Sequence, residues 1–164
     1  YDSRGKLTQV KKGRRVVEKV HQGYKFLDML KKDEKFFDDK PILVLGAGPS
    51  LGANKEWLKL NAEKFIIMAP FMTLKILYPL GIAPDVIMHV DEGSEVAKRE
   101  MLRYADKKEF FKNSLFVFNA SLPNEFFETF EKDSIYLIED RTKYKHNNNY
   151  IEVVSVGEAV YALA

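Results

Sequence analysis

The sequence predicts an α/β domain: a mostly parallel β-sheet with helices on both faces, preceded by an N-terminal helical segment. Two observations carry this prediction. Short, continuous apolar runs alternate with helical patterns along most of the 164 residues, and such runs are typical of strands buried on both faces of a parallel sheet. A glycine-rich turn directly follows the first run. Because right-handed crossovers connect alternating strands and helices economically, we expect a Rossmann-like arrangement.

The first forty residues are predicted to form a basic, amphipathic helical segment. Apolar side chains recur there at three- and four-residue spacing, with Lys, Arg and Glu between them. We expect this helix to end before Pro41 and the Rossmann-like domain to occupy residues 41–164. A solvated helix face is the simplest explanation of the basic residues, and contact with phosphate or nucleic acid is the alternative.

Five strands and the helices between them follow in order. The predicted strands are residues 41–45, 65–69, 85–91, 115–119 and 134–138. The predicted helices are residues 54–60, 72–80, 95–111 and 124–131. A sixth strand at 151–154 and a helix beginning near Gly157 would add one more unit. Because the chain does not begin with Met and stops inside an apolar helical pattern, we expect it to be part of a longer protein.

The composition excludes several classes of protein. With 46% apolar and 30% charged residues, the chain is globular rather than disordered. It has no cysteine, which excludes disulfides, thiolate metal sites and cysteine nucleophiles. No apolar run approaches the ~20 residues that span a bilayer, and the first residues lack the apolar segment of a signal peptide. We therefore expect a cytoplasmic location, no membrane partner and, without a base-stacking motif, no nucleic-acid partner.

The turn after the first strand is the first candidate site. Its sequence is GAGPSL, residues 46–51. Two glycines allow a tight turn and a close approach of the backbone to a ligand, and exposed N–H groups favour anionic oxygens. The Lys and Ser/Thr of a triphosphate-binding loop are missing, as is the third glycine of a dinucleotide fingerprint. A phosphate site is predicted, and a simple tight turn is the alternative.

Polar residues also follow the next three strands, and ligands of open α/β sheets bind at this edge. Thr73 could donate to a ligand or serve as a helix N-cap. His89 and Asp91 share one face of their strand, so they could act as a base with its orienting carboxylate, or Asp91 alone could meet a ribose, a metal or the acceptor. A buried core imidazole and a helix cap are the alternatives. Asn119 and Ser121 could bind a base or sugar, or form a turn.

The combination of GAGPSL with GIAPDVIMHVDEG, residues 81–93, resembles the central domain of bacterial motility accessory factors (Maf proteins). The resemblance covers roughly residues 35–164. It implies the transfer of nonulosonic acids, of the pseudaminic or legionaminic type, from CMP-sugars to flagellin. It also implies a sialyltransferase-like domain in which the glycine loop lies against the nucleotide.

The resemblance carries over to residues of this chain as follows. The motif match implies a CMP loop made of Gly46, Gly48, Pro49, Ser50 and Leu51. Asp91 lies in the family's third-strand motif. The nucleotide-binding roles of Asn119 and Ser121 are assigned by position only. Thr73 is a further nucleotide-binding candidate. The catalytic base of the family cannot be matched to a residue of this chain, and we expect the base either beyond Ala164 or at His89, our candidate within the chain. No cofactor is required beyond the CMP-sugar donor, and no metal site is expected.

Two other functions remain open. A second branch of the same domain family resembles archaeal hydroxymethyl-dihydropterin diphosphokinase, which implies a pyrophosphoryl transfer that depends on ATP and magnesium. A non-catalytic module that binds flagellin is the third hypothesis. The basic helical N-terminal segment fits the motility branch better, because there the domain is embedded in a longer chain.

Overall fold

The computed structural model of the protein describes residues 3–30, 40–91 and 95–138. Six parallel strands form one sheet in the order β1-β6-β5-β4-β3-β2. The strands are β1 (Lys25–Phe26), β2 (Ile42–Val44), β3 (Ile66–Pro70), β4 (Val86–His89), β5 (Leu115–Asn119) and β6 (Ile135–Ile138). The helices are α1 (Ser3–His21), α2 (Pro49–Ala53), α3 (Lys55–Asn61), α4 (Leu74–Leu77), α5 (Glu95–Leu102) and α6 (Asn124–Glu128).

The predicted parallel α/β sheet is confirmed, whereas the described residues place α-helices on one of its faces and not on both. From β2 to β6 each strand lies beside its neighbour in the chain. Right-handed crossovers that all advance in one direction place their helices on one face of the sheet. The described α-helices accordingly pack on the face that carries Leu45, Ile67, Ile87 and Phe116. On the other face, Leu27 of the 3-10 turn Leu27–Met29 packs against the strands.

The core is rich in aromatic side chains on the helix-covered face. Every residue of β3, β4, β5 and β6 is buried, as the continuous apolar runs predict. The Phe116 ring stacks on Phe130, with the ring centroids 4.0 Å apart, and meets Phe111 and Phe118 at 5.7 and 5.6 Å. The contacts of Phe116 with Phe111 and Phe130 join β5 to the segments that cover it.

The expectation that the first helix extends to Pro41 is wrong, because α1 ends at His21. Gly23 has a φ of +80°, a left-handed conformation that suits glycine and closes the helix. Its N–H donates to the Val20 carbonyl, and the N–H of Tyr24 donates to the Lys19 carbonyl. This is a Schellman motif. The chain then enters β1, which pairs with β6.

The basic helix α1 packs onto the domain instead of presenting only a solvated face. Val16 belongs to the aromatic core. Arg15 donates through Nη1 to the Ser121 carbonyl at 3.1 Å. The Lys19 side chain is buried, donates to Asn124 Oδ1 and lies 4.4 Å from the centroid of the Phe127 ring. Desolvation by burial lowers the pKa of Lys19.

The helix predicted over residues 95–111 is shorter than expected. The α-helix stops at Leu102, and a 3-10 turn covers Lys108–Phe111. Bonds of the i to i−3 type tighten the end of α5, which lets the rings of Tyr104 and Phe111 meet at 5.9 Å in the core. The strand predicted at 151–154 and the helix predicted near Gly157 lie outside the described residues.

The motif GIAPD organises the amino-terminal edge of the sheet, opposite the edge where strands end. Gly81, with a φ of +72°, closes the 3-10 turn Tyr78–Leu80. Asp85 accepts a hydrogen bond from the Ile67 N–H at 2.7 Å and donates its own N–H to the Ile67 carbonyl at 2.9 Å. The Pro84 carbonyl accepts from the Ser114 hydroxyl at 2.7 Å. These bonds fix the starts of β3, β4 and β5 relative to one another.

Replacing Asp85 with alanine is expected to lower the free energy of unfolding by about 1–3 kcal/mol, because the buried N–H of Ile67 loses its acceptor. Chemical denaturation measures this change. Glu63→Ala, at an exposed position, is the matched control and should change stability by less than about 0.5 kcal/mol. Equal stability of the two variants would contradict the role assigned to Asp85.

Candidate functional site at the end of the second strand

The glycine loop leads from β2 into α2 as predicted. The N–H of Leu45 still donates to the Met68 carbonyl at 2.9 Å, so the sheet ladder continues one residue past Val44. Gly48 is the N-cap residue of α2 and Pro49 its first helical residue. The side chain of Leu51 is buried and packs with Leu45 in the core. The loop is therefore anchored at both of its ends.

The two loop glycines are not required for a tight turn, and that explanation of them is wrong. Neither Gly46 nor Gly48 has a φ in the left-handed region. Among the described residues, a Cβ atom on Gly46 would meet no heavy atom within 4 Å, and one on Gly48 would meet only Ser50 Oγ at 4.0 Å. The space in front of the loop is open, which leaves room for a ligand to approach its backbone closely.

The loop also presents backbone donors. Among the described residues, the N–H groups of Gly46, Ala47, Gly48 and Ser50 donate to no acceptor. Gly46, Ala47, Gly48 and Ser50 are all exposed. Successive N–H groups of this kind form a favourable environment for the oxygens of an anion.

A cavity of about 410 Å³ lies beside the loop, at the end of β2. Trp57 forms part of its wall, with 48% of the side chain exposed. No charged side chain appears among the lining residues that the structure describes, and Ser50 and Asn54 supply its polar groups. The lining residues are Val44, Leu45, Gly46, Ser50, Leu51, Asn54, Trp57 and Leu58.

At the end of β3, Thr73 is buried and uses its hydroxyl within the protein. Its Oγ1 donates to the Pro70 carbonyl at 2.7 Å. Thr73 occupies the N-cap position of α4, but its side chain makes no cap hydrogen bond. The hydroxyl therefore stabilises the turn that follows β3, and its role in nucleotide binding stays a prediction.

His89, the last residue of β4, lies in the aromatic core. Its side chain is 2% exposed, and its ring stacks on Phe126 with centroids 5.1 Å apart and meets Phe71 at 6.1 Å. Nε2 is buried and has no hydrogen-bond partner among the described residues. Burial lowers the pKa of His89, and the charge and backbone of Asp91 oppose that shift.

The buried imidazole of His89 is expected to make stability depend on pH. The lowered pKa means that the unfolded chain binds a proton more readily than the folded protein. The contribution of His89 to the free energy of unfolding is therefore complete above about pH 6.5, the ordinary histidine pKa. It is lost as the pH falls from there through the lowered pKa of His89 in the folded protein. Denaturation curves recorded from pH 7.5 to 5 measure this loss. His89→Gln should reduce it, whereas His21→Gln, at an exposed position, should not.

Asn119 and Ser121, at the end of β5, are buried and bonded to one another. Asn119 Oδ1 accepts from the N–H of Ser121 at 3.0 Å and from its hydroxyl at 2.8 Å. Asn119 Nδ2 donates to the Val90 carbonyl at 3.4 Å, which ties this turn to the segment after β4. The contacts are those of a structural turn, and binding of a base or sugar by these side chains stays a prediction. Asp91, in contrast, is exposed.

Comparison with known proteins decides the family. The sequence model described as 6-hydroxymethylpterin diphosphokinase MptE-like matches residues 14–164. The chain belongs to the MptE-like family. The predicted resemblance to the domain family that contains motility accessory factors and diphosphokinase-like proteins is thereby confirmed.

The fold of this MptE-like chain is similar to that of a solved Maf glycosyltransferase from Magnetospirillum magneticum AMB-1. The TM-score is 0.61 and the sequence identity is 16%. The match covers 77% of this chain and 22% of the other, so the chain spans a minor part of that protein's length. A search of curated proteins gave no significant match.

In the MptE-like chain the structure brings only part of the predicted site together. Gly46, Ser50 and Leu51 line one cavity. Sequence reasoning missed Asn54 and Trp57 in the same wall. Asn54 lies between α2 and α3 with φ −101° and ψ 12°, and because this residue interrupts the helical path, no single helical period joins Ser50 to Trp57.

Within the described ranges, no three or more His, Asp or Glu side chains come together where they could hold a metal ion. None of the helices in these ranges is both long enough and apolar enough to cross a bilayer.

Proposed function

We propose that this MptE-like chain binds a CMP-activated nonulosonic acid, of the pseudaminic or legionaminic type, and transfers the sugar to a Ser or Thr hydroxyl of flagellin. The observation that carries the proposal is the open glycine loop beside a cavity of about 410 Å³. A cavity of this volume is in the usual range for small-molecule sites. The similarity of the fold to that of a Maf glycosyltransferase supports the transfer of a sugar.

The described lining of the cavity contains no charged side chain, which favours a ligand with a single phosphate, such as a nucleoside monophosphate unit. Loop N–H groups that donate to no described acceptor are available to an anion. A triphosphate with its metal ion is normally held by a lysine, a hydroxyl that contacts the metal and a carboxylate. Backbone N–H groups suffice for the single phosphate that links cytidine to the sugar in a CMP-sugar.

The proposed reaction is a single substitution at the anomeric carbon of the sugar. The acceptor hydroxyl oxygen forms the new bond to that carbon, and the bond from the carbon to the phosphate oxygen breaks. The electron pair of the broken bond leaves with the phosphate, so CMP is the product. The acceptor proton passes to a base, and the loop N–H groups stabilise the charge on the departing phosphate.

Two residues remain our predicted catalytic groups. Asp91 is exposed just past the end of β4, and we propose that it meets the acceptor. His89 is enclosed by Phe71 and Phe126, so it would have to be uncovered to act as the base. Retention of full transferase activity by His89→Asn would remove it from that role.

A second candidate is pyrophosphoryl transfer to a hydroxymethylpterin, because the matching family carries that description. This reaction would require Mg-ATP. Ser50 supplies a hydroxyl, but the described lining beside the loop contains neither the lysine nor the carboxylate expected around Mg-ATP, and we therefore place this function second. Binding of flagellin without catalysis is the third proposal.

Calorimetric titration of the protein with CMP, a CMP-nonulosonic acid and Mg-ATP tests the proposal. We expect CMP and the CMP-sugar to bind, with no heat from Mg-ATP. Binding of Mg-ATP without CMP would favour the diphosphokinase instead. Capture of purified flagellin without binding of any nucleotide would favour the non-catalytic module.

We also propose a cytoplasmic location, where nucleotide-sugars and newly made flagellin are both present.

A further inference from the structure

Trp57 has a position in the cavity wall that the fold does not explain. It is the single tryptophan of the 164 residues, and it lies on α3 with 48% of its side chain exposed. Its ring meets Phe65 with centroids 5.9 Å apart and the planes at 42°. This contact holds the indole from one side, while the side chain still lines the cavity.

The indole of Trp57 and the loop that we assign to the phosphate line the same cavity. Ser50, in α2, and Trp57, in α3, lie on two successive helices that both contribute to the cavity wall. A nucleotide whose phosphate lies at the loop would extend along the same wall. Its flat base is the part of the ligand suited to an aromatic surface.

We propose that Trp57 is the stacking surface for the pyrimidine base of the nucleotide, an inference that rests on the proposed function. Val44, Leu45 and Leu58 supply apolar side chains to the described lining of the same cavity. Asn54 lies in the same wall. Its Nδ2 donates to the Ser50 carbonyl at 2.8 Å, and its carboxamide oxygen accepts no hydrogen bond from a described residue. An acceptor at this place suits the exocyclic amino group of cytosine.

The fluorescence of Trp57 provides the test. CMP is titrated into the protein while tryptophan emission is recorded, and calorimetry is run in parallel on the same sample. We expect saturable quenching with the dissociation constant that calorimetry gives. Trp57→Ala should weaken CMP binding by roughly 5- to 150-fold, the range that base–aromatic stacking contributes. Trp57→Phe should bind CMP nearly as well as the wild type, without the emission signal.

Leu60→Ala is the matched control, because Leu60 is an exposed apolar residue of α3 that does not line the cavity. It should bind CMP with unchanged affinity. If CMP binds calorimetrically, but emission stays constant and Trp57→Ala binds as tightly as the wild type, stacking on Trp57 is overturned and the proposed function stands. If neither CMP nor the CMP-sugar binds, the proposed function fails, and this inference fails with it. Circular dichroism checks folding, and if Trp57→Ala is unfolded, Trp57→Leu, which keeps an apolar side chain without a ring, replaces it and is expected to show the same loss of affinity.

Discussion

Replacing Gly46 with valine is expected to weaken CMP binding at least tenfold, a loss of about 1.4 kcal/mol or more. The wild-type loop leaves the space in front of Gly46 open to 4 Å, and a branched side chain would fill the place assigned to the ligand. The φ of Gly46 is not left-handed, so valine is tolerated there. The free energy of unfolding should therefore change by no more than about 0.5 kcal/mol.

Gly52→Ala is the control for this substitution. Gly52 lies in α2, and its added methyl would meet Ile76 Cδ1 at 4.0 Å, an ordinary contact distance. We expect Gly52→Ala to bind CMP like the wild type in a calorimetric titration. Equal affinities of Gly46→Val and Gly52→Ala would show that the nucleotide does not approach the loop. A folding defect in Gly46→Val, seen in its denaturation curve, would show that the loop needs glycine for its own structure.

The second large effect is expected at Phe116 in the core. Phe116→Ala should lower the free energy of unfolding by about 3–5 kcal/mol, because the ring is buried among other aromatic rings and its loss leaves a cavity. Its stacked contact with Phe130 at 4.0 Å and its edge contact with Phe111 are lost together. Urea denaturation followed by circular dichroism measures the change.

Leu60→Ala also serves as the control for this core substitution. Leu60 is 80% exposed on α3, and alanine is a good helix former, so the free energy of unfolding should change by less than about 0.5 kcal/mol. A loss below about 1 kcal/mol for Phe116→Ala would contradict the assignment of the aromatic cluster as the main core of the domain.

Much of the fold could be predicted, because buried parallel strands have a continuous apolar pattern. The run at β5 shows this clearly, since all five of its residues are buried and the next turn begins at once. The end of α1 could not be predicted from spacing, because Tyr24 and Phe26 continue the helical pattern. The left-handed Gly23 ends the helix there, and the following residues join the sheet through pairing with distant β6.

The candidate site was predictable only in part, because a polar residue at a strand end has two uses. Ser50 is exposed beside an open cavity. Thr73 and Asn119 have the same kind of position in the sequence, but their polar atoms bind the protein's own backbone and side chains. The difference depends on tertiary packing around each turn, which local sequence does not specify. Trp57 resembled one more apolar helix residue until its exposure was known.

The central claim is that the loop after β2 binds the phosphate of a cytidine nucleotide. Titration of isotope-labelled protein with CMP, followed by two-dimensional amide NMR, tests it directly. We predict that the amide signals of Gly46, Gly48 and Ser50 shift in a saturable way, while that of Gly81, at the opposite edge of the sheet, stays in place. Saturable shifts at other residues, with the signals of the loop unchanged, would contradict the claim.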